Sequence, residues 1–133
     1  MTKILFVDIN AQYLENMRRY LSWYDFEVDA LTDSKQAWDL LIKNEYDLFI
    51  CDLFSRPIDG FSLIKDIRNF PRKNIRNTNI LMISEEKMSL DKQIILKHYQ
   101  AYYMTKYKSM EKWFSKITAI LSHLLKQTNY YKA

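Results

Sequence analysis

Tyr46-Asp47-Leu48-Phe49-Ile50-Cys51-Asp52-Leu53-Phe54-Ser55-Arg56-Pro57-Ile58-Asp59-Gly60 is the stretch that decides the fold. Leu48–Asp52 is an apolar run that ends in aspartate. That is the pattern of a strand covered on both faces, with an acid at its carboxyl end. Asp59-Gly60 then opens a helix bearing Phe61, Leu63, Ile64 and Ile67, which ends near Asn69, before Pro71. A buried strand leading directly into an amphipathic helix is half of a parallel βαβ unit.

The same alternation runs outward in both directions. Apolar periodicity predicts strands at about 3–7, 27–31, 48–52, 80–83 and 101–105. Asn10 is expected to cap a helix carrying Leu14, Met17 and Leu21. Ser34 is expected to cap a second, with Ala37, Trp38, Leu41 and Ile42. Weaker periodicity predicts a helix at Leu90–His98. The last, about Ser109–Gln127, places Met110, Trp113, Phe114, Ile117, Ile120, Leu121 and Leu124 on its inner side. Strands alternating with helices imply a parallel sheet, right-handed crossovers and helices on both faces. No repeat, linker or low-complexity segment interrupts residues 1–133, so a single α/β domain is expected.

Composition narrows the setting. At 133 residues, 48% hydrophobic and 27% charged, the chain can bury a real core and is not a disordered tract. Cys51 is the one cysteine, which leaves no intramolecular disulfide and suits a reducing compartment. No apolar run approaches the roughly 20 residues of a membrane span. The N-terminus lacks the layout of a signal peptide, and a cytoplasmic location is expected. The net charge of +4 is uneven: residues 1–105 carry 14 Lys/Arg against 15 Asp/Glu, whereas residues 106–133 carry six lysines against Glu111. A solvated lysine face on the last helix accounts for that, and with no reader motif following, nucleic-acid binding is not expected.

The chemistry lies at the strand ends. In parallel sheets of this class, ligands sit beyond the carboxyl ends of the strands. There the sequence puts Asp8, Asp52, Ser84 and Lys106. An aspartate after a strand is commonly a turn former, a lone serine a loop residue and a lone lysine a surface charge. Two carboxylates, a hydroxyl and an ammonium at one rim suit phosphoryl transfer to an aspartate. Asp52 would attack phosphorus, Asp8 would hold part of a divalent metal, and Lys106 and the Ser84 hydroxyl would bind phosphoryl oxygens.

At these residues the chain resembles the receiver domain of two-component response regulators. That family reads roughly "YDLVLLDxxMPxMDG" where this chain reads Tyr46–Gly60, and "ILMIS" ending at Ser84 and "YMTK" ending at Lys106 match as well. The resemblance spans nearly the whole chain. It implies a flavodoxin-like (βα)5 fold, doubly wound, with strand order 2-1-3-4-5. It implies Asp52 as phosphoacceptor from a sensor histidine kinase or phosphotransfer protein. Ser84 would be the switch hydroxyl, Lys106 its partner at the phosphoryl group, and Tyr103 the switch aromatic. Magnesium would be held by Asp8, Asp52 and the backbone carbonyl of Phe54. The signalling face would be that of the helix at 90–98, the fifth strand and the last helix, which also offers a homodimer surface. No catalytic turnover beyond self-phosphorylation is implied.

The departures are specific. Ile9 stands where the family has its second acid, and isoleucine offers a hard cation no oxygen, so magnesium binding is expected to be weak. Arg56 stands where a proline is usual, with Pro57 one place later, and Tyr107 replaces the proline after the lysine. The Gly-Ala expected before the fifth strand reads Tyr99-Gln100. A phosphorylation-independent pseudo-receiver, working as an interaction or dimerisation module, is the alternative. Its evidence is Tyr99, Tyr102, Tyr103 and Tyr107 crowded beside Lys108, Lys112 and Lys116; Trp113 is expected in the core. A haloacid-dehalogenase-like phosphatase would need an acid at Asn10 and acids after Lys106. A flavodoxin would need a phosphate loop where Ala11-Gln12-Tyr13 stands. No output segment follows the last predicted helix, so a stand-alone regulator and part of a longer chain both fit.

Overall fold

The computed structural model describes the backbone of residues 1–132 and the side chains of residues 1–122. Five strands, β1 (Thr2–Val7), β2 (Phe26–Leu31), β3 (Leu48–Asp52), β4 (Ile80–Ser84) and β5 (Tyr102–Thr105), form one sheet in the order β2-β1-β3-β4-β5. Every pairing is parallel. Between them run α1 (Ala11–Ser22), α2 (Ser34–Lys43), α3 (Gly60–Arg68), the single turn α4 (Lys73–Arg76) and α5 (Leu90–His98); α6 (Met110–Lys132) closes the chain. This is the doubly wound, flavodoxin-like arrangement.

The period of two along a strand divides the apolar residues between two cores. From β1, Leu5 and Val7 join Phe49, Cys51, Ile80 and Met82 under α2, α3 and α5, meeting Leu41, Ile64 and Leu96. Ile4 and Phe6 face the other way with Leu48, Ile50, Leu81 and Ile83, meeting Leu14, Met17 and Leu21 of α1 and Trp113, Ile117 and Ile120 of α6. β3 and β4 are buried at every position, which is why both read as unbroken apolar runs. Trp113 is fully buried and stacks on Phe6. Among the described residues, no helix is long and apolar enough to cross a membrane.

Two helix starts match their sequence signals: Asn10 accepts from the amide of Tyr13, and Asp59 from that of Ser62. Gly60 suits its place, since a Cβ there would displace the Met82 methyl and come tight against the Leu53 backbone. Five expectations change. The cap of α2 is Asp33, one residue before Ser34; the serine hydroxyl is buried and accepts instead from the amide of Ile58. Phe114 lies on the outer side of α6, 37% exposed and stacked on Tyr24. The α4 turn after Pro71 was not anticipated, and α6 runs beyond Gln127. The left-handed residue before β5 is Gln100, with φ 55°, so the glycine position is Gln100, followed by Ala101, rather than Tyr99 followed by Gln100. Leu124, expected on the inner side of α6, lies outside the residues whose side chains are described.

Candidate functional site

Register explains why the four strand-end residues converge. Val7 pairs with Cys51, so Asp8 comes out beside Asp52. Asp52 pairs with Ile83 and Ser84 with Thr105, which carries Ser84 and Lys106 to the same rim. All four are nearly or fully buried, between 0% and 4% exposed. The cleft above them is lined by Ile9, Asp52, Phe54, Ser84, Glu86 and Lys106, with Lys87 and Lys92 at its edge.

Within the cleft the charges are unequally paired. Asp8 Oδ1 accepts from the Asn10 amide at 2.8 Å and from the Lys106 ammonium at 3.1 Å. The ammonium is 2.9 Å from Oδ2 as well, at an angle that gives Oδ2 no directed hydrogen bond. Asp52 Oδ1 accepts from the Phe54 amide at 3.1 Å, while Oδ2 lies 3.9 Å from Lys106 Nζ. Burial pushes the Asp52 carboxyl above the ordinary carboxylate range; the Phe54 N–H opposes this, the charge of Asp8 adds to it, and Lys106 offsets part. Cys51, next to Asp52, is chemically quiet, since burial pushes its thiol up to about 12.

Ser84 sits at the rim as expected, but its hydroxyl donates to the carbonyl of Glu86, away from Asp52. Tyr103 is 38% exposed, and its hydroxyl donates to Gln93 Oε1 on α5 at 2.9 Å. Beside it Leu90, Ile94 and Tyr102 line an open groove between α5, β5 and α6. Ile9 is 47% exposed at the cleft edge. Asp8, Asp52 and the Phe54 carbonyl are oxygen donors, a set that suits a hard cation keeping several waters. Among the described residues, no group of three His, Cys, Asp or Glu side chains could hold a metal by itself.

Three residues of the site were not anticipated. Tyr13 lies under Lys106: its ring centroid is 4.5 Å from Nζ, and its hydroxyl donates to the Lys106 carbonyl at 2.9 Å. The indole of Trp113 donates to that same carbonyl. Ser34 braces the loop after Asp52, its amide donating to the Arg56 carbonyl while its hydroxyl receives the Ile58 amide. For Tyr13 a signal existed: it lies in the first turn of α1, three residues past the cap Asn10 and so close to the end of β1.

Residues 4–118 match the response regulator receiver domain family. The chain belongs to that family. It is a receiver domain of two-component signalling, a class that in general signals rather than catalyses turnover, acts with histidine kinases or phosphotransfer partners, and binds magnesium in its active site. Among curated relatives, the response regulator ArlR of Staphylococcus saprophyticus is 27% identical over 121 residues, covering 91% of this chain and 53% of that protein. The receiver domain spans between about a quarter and a half of the length of the curated relatives it matches. Among solved structures, the chemotaxis protein CheY4 of Vibrio cholerae superimposes with a TM-score of 0.82 at 24% identity, over 91% of this chain and 99% of that one. The receiver domain of the sensor histidine kinase PA1611 of Pseudomonas aeruginosa gives a TM-score of 0.78 at 20% identity, over 91% and 98% of the two chains. That structure has a magnesium ion coordinated in its active-site cleft. These two likenesses are of fold.

Proposed function

We propose that Asp52 accepts a phosphoryl group from the phosphohistidine of a sensor histidine kinase or phosphotransfer protein. The observation that supports this most is the state of Asp52 itself. One oxygen is held by the Phe54 amide; the other accepts no hydrogen bond among the described residues and lines the cleft. That free oxygen attacks phosphorus as the P–N bond of the donor breaks, and the imidazole leaves with a proton. Lys106, 3.9 Å away, then pairs with a phosphoryl oxygen. The Ser84 hydroxyl exchanges the Glu86 carbonyl for a second oxygen, and Tyr103 follows, carrying the change to the α5–β5–α6 face.

Asp8, Asp52 and the Phe54 carbonyl would hold the magnesium ion. When bound, it offsets charge on the transferring group. Binding is weaker than a complete acidic pair would give, because Ile9 contributes no oxygen. The protein acts in the cytoplasm, and the exposed α5–β5–α6 face, with Tyr102, Tyr103 and Ile94, is a surface for a second copy or an output protein. Small phosphoesters are not turned over.

Incubation with magnesium and acetyl phosphate, followed by intact-mass measurement, tests the reading. The expected result is one added phosphoryl mass that is absent from Asp52→Asn. No adduct, under conditions that label an ordinary receiver, would leave the pseudo-receiver in its place. Turnover of a small phosphoester would overturn both in favour of a phosphatase.

A further inference from the structure

Lys106 is gripped by one residue at both its ammonium and its main-chain carbonyl. Tyr13 places its ring under the ammonium and its hydroxyl on the backbone carbonyl of the same lysine, while Trp113 bonds that carbonyl from the other side. The ring is itself held: Phe6 and Tyr107 both pack on it edge to face, and the Tyr107 hydroxyl reaches Glu85 on the loop that follows Ser84. In this arrangement Lys106 Nζ touches both oxygens of Asp8, at 3.1 and 2.9 Å, and stands off from Asp52 at 3.9 Å. A cation is attracted to a ring face only while it stays within about 6 Å of the centroid. Any movement of the ammonium toward a group on Asp52 that carries it away from Tyr13 therefore gives up part of that attraction.

We propose that Tyr13 is a positioning residue that holds the Lys106 ammonium on Asp8, so that the ring and a phosphoryl group on Asp52 compete for the same charge. The proposal rests on Asp52 being the phosphoacceptor. It assigns to Tyr13 the setting of how readily the lysine changes partner. Ile9 sharpens the competition, because with no second acid at this end of β1, Asp8 and Asp52 are the two carboxylates among which Lys106 chooses.

Two measurements test this on the full chain. First, the methylene protons next to the Lys106 ammonium are expected upfield of ordinary lysine values, because the ammonium they adjoin lies over the ring, 4.5 Å from its centroid. They remain upfield in Tyr13→Phe and return to ordinary positions in Tyr13→Leu. An ordinary shift in the unsubstituted protein overturns the proposal, whatever acetyl phosphate does. Second, the rate of labelling by acetyl phosphate rises in Tyr13→Leu by about two- to thirtyfold, the range a cation–π contact spans. Tyr13→Phe, which keeps the ring, lies closer to the unsubstituted protein than Tyr13→Leu does. A merely structural Tyr13 would instead lower the melting temperature of Tyr13→Leu with labelling unchanged or slower, and that result overturns the proposal. A protein that takes no label in any form overturns the phosphoacceptor reading instead, and the proton shifts still decide what holds Lys106.

Discussion

At the amino-terminal end of the sheet, ahead of β4 and β5, the half-buried Arg68 guanidinium donates to the carbonyls of Tyr99, Arg76, Thr78 and Gln100 at 2.7, 2.8, 2.7 and 3.2 Å. At the carboxyl end, Asp8 and Asp52 are more deeply buried, yet each keeps an oxygen that accepts no directed hydrogen bond among the described residues. Both ends hold buried charge, which is costly unless satisfied. Arg68 meets that cost with a fork of donors matched to backbone acceptors, tying α3 to the α4 turn and to the end of α5. The strand-end carboxylates leave it partly unmet. Buried charge left without a full set of partners is a common mark of a binding site, and the contrast separates the end of the sheet whose charge is satisfied from the end where we propose the chemistry.

The strongest way to break this contrast is at Asp52. Asp52→Asn should abolish phosphoryl labelling in the mass measurement. It should also raise unfolding stability at neutral pH, because burial raises the folded pKa of Asp52 and folding therefore disfavours its charged form. The sign is checkable by chemical denaturation: the cost is absent below the unfolded pKa and sets in as pH rises through the folded value, so the gain should fade in acid. Labelling of the unsubstituted protein should fall off on acidification at a pH above the ordinary aspartate value of 3.8, since the attacking species is the carboxylate.

Arg68→Ala attacks the other end. It should cost about 3 kcal/mol in denaturant unfolding, since three part-buried carbonyls lose a charged donor at once. The protein that remains folded should still take label, because the chemistry lies at the far end of the strands; loss of label from folded protein would mean the two ends are not independent. Ile9→Asp sharpens the reactive end. Magnesium affinity, followed by calorimetry, should rise roughly tenfold as a carboxylate oxygen is added to the ligands of the ion. No change would show that Ile9 does not stand at the second acid. The smallest expected effect is at Gln100, whose φ of 55° suits glycine. Gln100→Gly should stabilise by about 1 kcal/mol, because a side chain in the left-handed region costs roughly that much.

Much of this was legible in residue order. β3 lies where an apolar run ending at an aspartate puts it, and α5 lies where its weaker periodicity does, with Ser89 as a cap that the periodicity alone does not give. The errors are also local. Ser34 and Asp33 are both good capping residues, and only the demand of the Ile58 amide for an acceptor separates them. Phe114 falls on the edge of the apolar stripe of α6, where the partner Tyr24, and not the periodicity, decides its place. Gln100 was misplaced by one because nothing in a glutamine announces a positive φ. Asp8, Asp52, Ser84 and Lys106 could all be named in advance, since each ends an apolar run. The hydrogen bonds of Tyr13 and Arg68 were not legible, because each reaches a backbone carbonyl distant in sequence, and that of Trp113 was not, because apolar periodicity places its ring in the core without saying where the indole N–H points.

The sequence by itself determined the alternation of strands and helices, the two buried central strands and the identity of the polar groups at their ends. These follow from periodicity and from what a strand covered on both faces must exclude. Only the tertiary structure decided how the charge is distributed: Lys106 on Asp8 with Tyr13 beneath it, Ser84 turned to Glu86, and Asp52 with an oxygen free. Distances of a few ångströms between residues up to 98 positions apart set those pairings. No local pattern encodes them, because electrostatic preference in a buried cleft depends on which neighbours the fold has brought within reach.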